Sequence, residues 1–388
     1  MRTFHCDHCR QPVYFENSHC TRCGHLLGLL PEYMRVSALR DNGDGSWRPL
    51  MQVAAGRRYR QCGNYIEHQV CNWMVPVESD QAFCVACRLN QVIPNLSRPG
   101  FRDHWYRLER SKRRLLYSLI KLGLPLHSKH EDPVSGLAFA FKSELDAAPG
   151  EPVMTGHAEG CITINIDEAD PALRERNRID LQERYRTLLG HFRHEIGHFY
   201  WDILIAGGPH RNAFRTTFGD ERHDYAEALN RYYADGPSGD WQNRFISAYA
   251  SAHPWEDWAE TWAHYLHIVD TLETAGNFGL RIENPVVGGG LHRVAPDFDP
   301  YRIADFAPII EHWMPLTFAL NSLNRSMGLQ DLYPFVLSQP AIDKLAFVHN
   351  VVRAQRAFID GYLGMPGVAN AGATQVPGLF GWLRRLLS

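Results

Sequence analysis

The residues best suited to chemistry stand in one short run, His191-Phe-Arg-His194-Glu195-Ile-Gly-His198-Phe-Tyr-Trp. On a helix, His194 and His198 share a face and can grip one ion. Glu195 points towards the same cavity. Its carboxylate can take a proton from a zinc-bound water and give it to a leaving amine. A catalytic zinc needs a third protein ligand and keeps one position open. A metzincin would supply a histidine six residues after His198, but position 204 is leucine and position 201 is tryptophan. The other main solution is a glutamate from a downstream helix. Residues 254–267, Pro-Trp-Glu256-Asp-Trp-Ala-Glu260-Thr-Trp-Ala-His-Tyr-Leu-His, begin with a proline and carry no later breaker. Glu256 and Glu260 share a face there. One can bind the metal while the other hydrogen-bonds a ligand histidine. Ala259 and Ala263 permit close packing against the first helix. Trp255, Trp258 and Trp262 make the second helix too apolar to be a solvated element.

Eight of the nine cysteines lie within the first 87 residues. Cys6-Asp-His-Cys9 and Cys20-Thr-Arg-Cys23 are paired knuckles with ten residues between them, and Gly24 follows the second. Each turn offers two sulfurs to one ion while backbone amides point at them, which is a zinc-ribbon pattern. Iron accepts similar spacing. The second set is less regular: Cys62, Cys71 and Cys84-Val-Ala-Cys87, with one tight knuckle and with His68 as an alternative to Cys71. The expected cofactor is therefore zinc, one ion catalytic and two structural. With little aliphatic core in sight, this module is expected to need its metal as a staple.

These groups must be positioned by the elements around them. Residues 160–166, Gly-Cys-Ile-Thr-Ile-Asn-Ile, alternate as a half-buried strand. It is expected to be an edge strand on which an extended peptide adds itself. A long helical stretch is predicted to follow, to about Leu204. An amphipathic helix is predicted from about 103 to 122, with a solvated face that includes Arg107, Arg110, Lys112, Arg113 and Arg114. Residues 91–130 hold nine Lys/Arg against two Asp/Glu, whereas residues 1–90 hold ten against eight. The basic excess thus follows the cysteines, and contact with nucleic acid or an acidic protein through the ribbon and this helix is a second expectation. Residues 284–300, with Gly288-Gly-Gly290 and three prolines, read as a long irregular loop. Helical patterns resume at about 301–325 and 340–363, and residues 364–388 read as a flexible tail.

At 388 residues the chain is long enough for two or three domains of about 150 residues. Apolar residues at 45% and charged residues at 21% rule out wholesale disorder and collagen-like repeats. A net charge of −3 argues against a molecule that binds polyanions over its whole surface. The longest apolar stretch, Leu115 to Leu126, is broken by Lys121 and is too short for a membrane span. The N-terminus, Met-Arg-Thr-Phe-His-Cys, lacks the apolar core of a secretory signal, so a cytoplasmic location is expected.

The run from Gly160 to about Thr274 resembles a bacterial family of zinc-binding metallopeptidases that join an N-terminal zinc ribbon to a gluzincin-like catalytic domain. The resemblance extends from the Cys6 knuckle to about Val351. It rests on the ribbon, His194-Glu195-x-x-His198 and Glu256-Asp-Trp-Ala-Glu260 together. It implies an α+β fold: a mostly helical zincin-like domain with a small mixed sheet, after a small β-rich ribbon module. The expected division is ribbon 1–95, basic linker helix 96–130, catalytic domain 131–363 and tail 364–388. The downstream helix also resembles that of lethal-factor-like gluzincins. By that resemblance Glu256 is the third ligand and Glu260 supports a histidine. Tyr249, seven residues before Glu256, would donate to the oxyanion of a tetrahedral intermediate. The implied function is a zinc-dependent peptidase acting on a peptide or protein. The rival reading is a zinc-ribbon binding protein with a non-hydrolytic zincin-like domain. Lesser candidates are His191 beside the cleft, Asp202 behind a histidine, His223 and Asp224 at a helix start, His253 at a loop entry and Cys161 buried in the strand.

Overall fold

The computed structural model describes residues 2–148, 152–180, 187–285 and 291–363. The chain divides into two compact units: residues 2–121 with 125–176, and residues 122–124 with those from 177 onward. It is a mixed helix and sheet protein, β-rich at the N-terminus and mostly helical after residue 187.

In the first unit, β1 (Phe4–His5) and β2 (Pro12–Val13) make a short hairpin around the first knuckle. An antiparallel sheet of β3 (Leu26–Leu30), β4 (Arg35–Asp41), β5 (Trp47–Pro49), β6 (Tyr59–Gln61) and β7 (Met74–Pro76) follows in chain order. The expectation of little aliphatic core is corrected here. β3 reads Leu-Leu-Gly-Leu-Leu and is buried along its whole length, with Val36, Ala38, Trp73 and Met74 beside it. A strand buried on both faces shows no alternation, so its sequence does not announce it. Gly28 is required at its centre, because a Cβ there would stand 2.5 Å from Met74 Cγ.

A short helix, α1 (Gly63–Ile66), begins directly after Cys62. β8 (Asn90–Val92), β9 (Ala138–Lys142), β10 (Gly156–Ala158) and β11 (Cys161–Asn165) form a mixed sheet in the order β10-β11-β9-β8. β11 alternates in burial as its sequence predicts, and half-buried Cys161 opens it. It is not an edge, however. β10 pairs with it antiparallel on one side and β9 parallel on the other. β10 occupies one side from Cys161 to Thr163 and β9 the other from Cys161 to Asn165, so the strand is interior to its sheet.

α2 (Phe101–Leu122) forms where the basic amphipathic helix is predicted, but its charge is not displayed as expected. Lys112 and Arg113 are buried, and Lys112 donates to Glu109 Oε1 at 2.8 Å. Arg113 donates to the Val70 carbonyl, Arg107 to the Ala169 carbonyl at 3.1 Å, and Arg114 pairs with Glu16. Sequence periodicity reads long cationic side chains as solvated. Here Lys112 is consumed by a buried acid and Arg107 and Arg113 by carbonyls, whereas Arg110 stays exposed as predicted.

α3 (Pro171–Asp180) leads towards the second unit. The single long helix expected up to Leu204 is instead divided. α4 (Leu188–Trp201) has its own N-cap, Thr187, whose Oγ1 accepts from Gly190 N–H at 3.0 Å, and a π-helical turn (Asp202–Ala206) ends it. α5 (Arg211–Phe218), α6 (Tyr225–Asp235) and the long α7 (Pro254–Asn277) follow. β12 (Ile282–Pro285) and β13 (Leu291–Val294) pair antiparallel, which corrects part of the expected irregular loop. α8 (Ala307–Ser326) and α9 (Gln339–Leu363) complete the unit. The glycine run at 288–290 and the tail at 364–388 lie outside the described residues.

The core of this unit is aromatic. Trp258 and Trp262 of α7 are fully buried, and Phe214, Phe218 and Phe347 stand edge-on around Trp258. Lys344 of α9 reaches Asp257 at 2.6 Å and the Arg244 carbonyl at 2.9 Å, deep beneath the start of α7. Burial pushes the Asp257 carboxyl up to about 7, against the pull of Lys344.

Candidate active site

α4 and α7 run in opposite senses and touch closely. At their crossing, a Cβ on Gly197 would stand 3.0 Å from Ala259 Cα and 3.2 Å from Trp262 Cβ. A small residue on each helix therefore sets the approach. Ala259 serves as predicted, whereas Ala263 is only half-buried. Polar links fix the register: Trp258 Nε1 donates to the Gly197 carbonyl at 2.8 Å, and Arg193 donates to Asp270 Oδ2 at 2.7 Å.

That crossing brings three ligand atoms to one point. His194 Nε2 and His198 Nε2 are 3.2 Å apart. Glu256 Oε2 lies 2.9 Å from the first and 3.6 Å from the second. Two ligands about 2.0–2.1 Å from a tetrahedral ion stand about 3.3 Å apart, so the spacing fits zinc. Glu256 is 1% exposed, and among the described residues its Oε2 has no hydrogen-bond partner beyond its contacts with the two imidazole nitrogens. A carboxylate oxygen buried in that condition wants a cation. The three groups are also coupled electrostatically. Burial works against charge at both groups, yet the imidazoles hold Glu256 well below the usual carboxylate range, and Glu256 and Glu260 hold His194 well above the usual imidazole range.

Behind the ligands, Glu260 Oε1 lies 2.7 Å from His194 Nδ1 and accepts its N–H. This leaves the Nε2 lone pair facing the cluster. Ser247 Oγ donates to Glu260 Oε2 at 2.5 Å. Glu195 follows His194 on α4. Burial raises its carboxyl above the ordinary range, although both histidines oppose the shift. The Tyr249 ring lies 5.9 Å from that of His194, and burial raises its phenol far enough to remain a donor. Tyr225 was not anticipated: its hydroxyl donates to Glu256 Oε1 at 2.6 Å. Neither Tyr225 nor Ser247 has a sequence signal, because each reaches its partner from a separate segment.

The lesser candidates take local duties. Asp224 caps α6, and His253 caps α7 by accepting from Trp255 N–H at 3.1 Å. His253 Nε2 donates to the His223 carbonyl. His191 lies on α4, and Asp202 opens the π-helical turn, where burial raises its carboxyl.

In the first unit, both cysteine quartets gather. Cys6 and Cys23 sulfurs are 3.6 Å apart, Cys9 and Cys20 3.5 Å, and Cys71 and Cys84 3.7 Å. Four sulfurs about 2.3 Å from one ion stand about 3.8 Å apart, whereas a disulfide needs about 2.05 Å. Cys62 and Cys87 join the second group. Trp73 N–H donates to Cys71 Sγ at 3.3 Å and Cys84 N–H to Cys62 Sγ at 3.4 Å. Burial opposes ionisation of Cys71, but the neighbouring thiols and the Arg113 guanidinium hold it well below the usual thiol range. His68 turns elsewhere, its ring 5.4 Å from that of Trp105. Around the first quartet, His8 and His25 stack at 4.2 Å within reach of Cys23.

Two imidazoles, one carboxylate and an adjoining acid on crossing helices are a donor set of the kind that zinc hydrolases use. Residues 101–351 match the family described as Putative zinc-binding metallo-peptidase, and residues 3–98 match a zinc-ribbon domain. The chain belongs to that metallo-peptidase family. It is 40% identical over 358 residues to uncharacterized proteins of Mycobacterium bovis and of two strains of Mycobacterium tuberculosis, covering 91% of this chain and 95% of each relative. No solved structure matches it.

Proposed function

We propose that the chain is a zinc-dependent peptidase whose metal is held by His194, His198 and Glu256. The observation that carries this is the convergence of His194 Nε2, His198 Nε2 and Glu256 Oε2 next to Glu195. Zinc held there supplies Lewis acidity, which acidifies water and polarises a carbonyl. Glu195 takes the proton of the attacking water and delivers it to the leaving amine nitrogen. Its raised carboxyl suits a group that must both accept and return a proton. Tyr249 donates its phenolic hydrogen to the oxyanion of the tetrahedral intermediate. Glu260, held by Ser247, keeps His194 in the tautomer that offers Nε2. The substrate is a peptide or protein. Each cysteine quartet holds a structural zinc, which closes all four positions. Eight cysteines kept as thiols in two such groups suit the cytoplasm. None of the described helices is long and apolar enough to cross a membrane. The burial of Lys112 and Arg113 weakens the rival nucleic-acid reading, since those charges cannot reach a phosphate.

The test is Glu195→Gln. The variant is expected to keep its zinc while hydrolysis of a peptide mixture falls roughly 10²- to 10⁴-fold. Unchanged turnover removes Glu195 as the base. Tyr249→Phe is expected to lower kcat roughly 10²-fold with little change in KM.

A further inference from the structure

The two oxygens of Glu256 keep different company. Oε2 faces the imidazole nitrogens of His194 and His198. Oε1 faces the other way and accepts the Tyr225 hydroxyl at 2.6 Å. Tyr225 is the first residue of α6, and its place is set locally. Asp224 caps the helix by accepting from Glu227 N–H at 2.8 Å, and the neighbouring His223 carbonyl accepts from His253 Nε2 at 3.1 Å. The Tyr225 ring stands edge-on to His253 at 5.3 Å and to Trp255 at 5.5 Å. Those two residues stand at the start of α7, His253 directly before Pro254 and Trp255 directly before Glu256, and the Trp255 ring packs on that of His198 at 4.0 Å. α6 itself contributes no buried residue, and Tyr225 is 37% exposed. The phenol is therefore not present to fill a core. Among the described residues its hydroxyl bonds to Glu256, which sits against both histidines.

We propose that Tyr225 is a positioning residue for the metal centre: its hydroxyl holds Glu256 Oε1, so that the carboxylate presents Oε2 alone to the ion. A free carboxylate beside a dication can swing to offer both oxygens, and that crowds the position which water and substrate must use. A donor on the distal oxygen opposes the swing and aligns the ligand. Tyr225 thus acts through Glu256 and is distinct from Tyr249, whose proposed donation is to substrate. The inference rests on the reading of His194, His198 and Glu256 as metal ligands.

Tyr225→Phe tests it, because the ring contacts with His253 and Trp255 survive and only the hydroxyl is lost. Zinc affinity of the helical site is measured on the full chain by competition with a chromophoric chelator. Cobalt(II) is then exchanged in, and the spectrum of this site is isolated by subtracting that of a His194→Ala/His198→Ala variant. The expected result is roughly 10-fold weaker zinc binding, with a cobalt band of lower intensity as the carboxylate becomes free to bind through both oxygens. Equal affinity and an unchanged cobalt band in Tyr225→Phe overturn the assignment of Tyr225. A wild-type chain whose zinc content does not differ from that of the double-histidine variant overturns the underlying metal site, and this inference with it.

Discussion

The metal-gathering groups of the two units are built in opposite ways. In the first unit one quartet is built from two Cys-x-x-Cys turns and the other from one such turn with Cys62 and Cys71, whose sulfurs accept backbone N–H groups, and four sulfurs suffice to close a tetrahedral ion. In the second unit three candidate ligands arrive from two helices, and their meeting depends on a glycine–alanine crossing. Closed centres of local turns staple a fold. An open centre on crossing helices needs a fold already in place, and the Asp257–Lys344 pair and the aromatic core supply it. The quartets differ in turn from each other. Cys9 and Cys23 are half-exposed, whereas the second quartet is wholly buried with Arg113 as its counter-cation.

If the open centre depends on distant packing, breaking that packing should empty it. Lys344→Met leaves Asp257 buried without its partner, at an expected cost of about 3–5 kcal/mol. Urea denaturation should register that cost, and zinc should be lost first from the helical site. A cost below ~1 kcal/mol would separate the centre from its supports.

Acid should act on the same unit. Burial lowers His264 to about 4 and His267 to about 3, and His264 Nδ1 is hydrogen-bonded with the Tyr333 hydroxyl at 2.7 Å. Both are neutral when folded but take up protons near pH 6.5 when unfolded. Stability is therefore full above that pH, falls as pH drops towards 4, and levels off below the folded values. For His264 alone the loss is on the order of 3 kcal/mol. Urea midpoints of wild type and His264→Gln between pH 7 and 4.5 check it, with a flatter slope expected in the variant.

Gly197→Ala sharpens the comparison further. Its methyl group must push α4 from α7, at about 1–3 kcal/mol. Zinc affinity should fall at the helical site and hold at the quartets. The smallest effect is one of order: a thiol reagent added with chelator should modify Cys9 and Cys23 before any cysteine of the second quartet. Peptide mapping of the labelled chain reads this directly.

Legibility in the sequence followed the same division. The knuckles and the His194–His198 spacing fix geometry within a turn or two, so residue types alone disclosed them. Glu256 and Glu260 were legible as a pair because helical spacing gave them one face, and the resemblance separated their expected roles. Tyr225 and Ser247 were not legible, since nothing local links them to the carboxylates they hold. β3 escaped notice because a doubly buried strand has no alternation. The edge expected at β11 failed because β10, its partner, is three residues long and turns back immediately. Lys112 and Arg113 misled because a cation paired inside a fold has the same sequence as one in water.

The most direct measurement is elemental zinc per purified full-length chain, with the His194→Ala/His198→Ala variant alongside. Three zinc atoms in the wild type and two in the variant are expected. Two in both, or three in both, would contradict a zinc held where α4 meets α7.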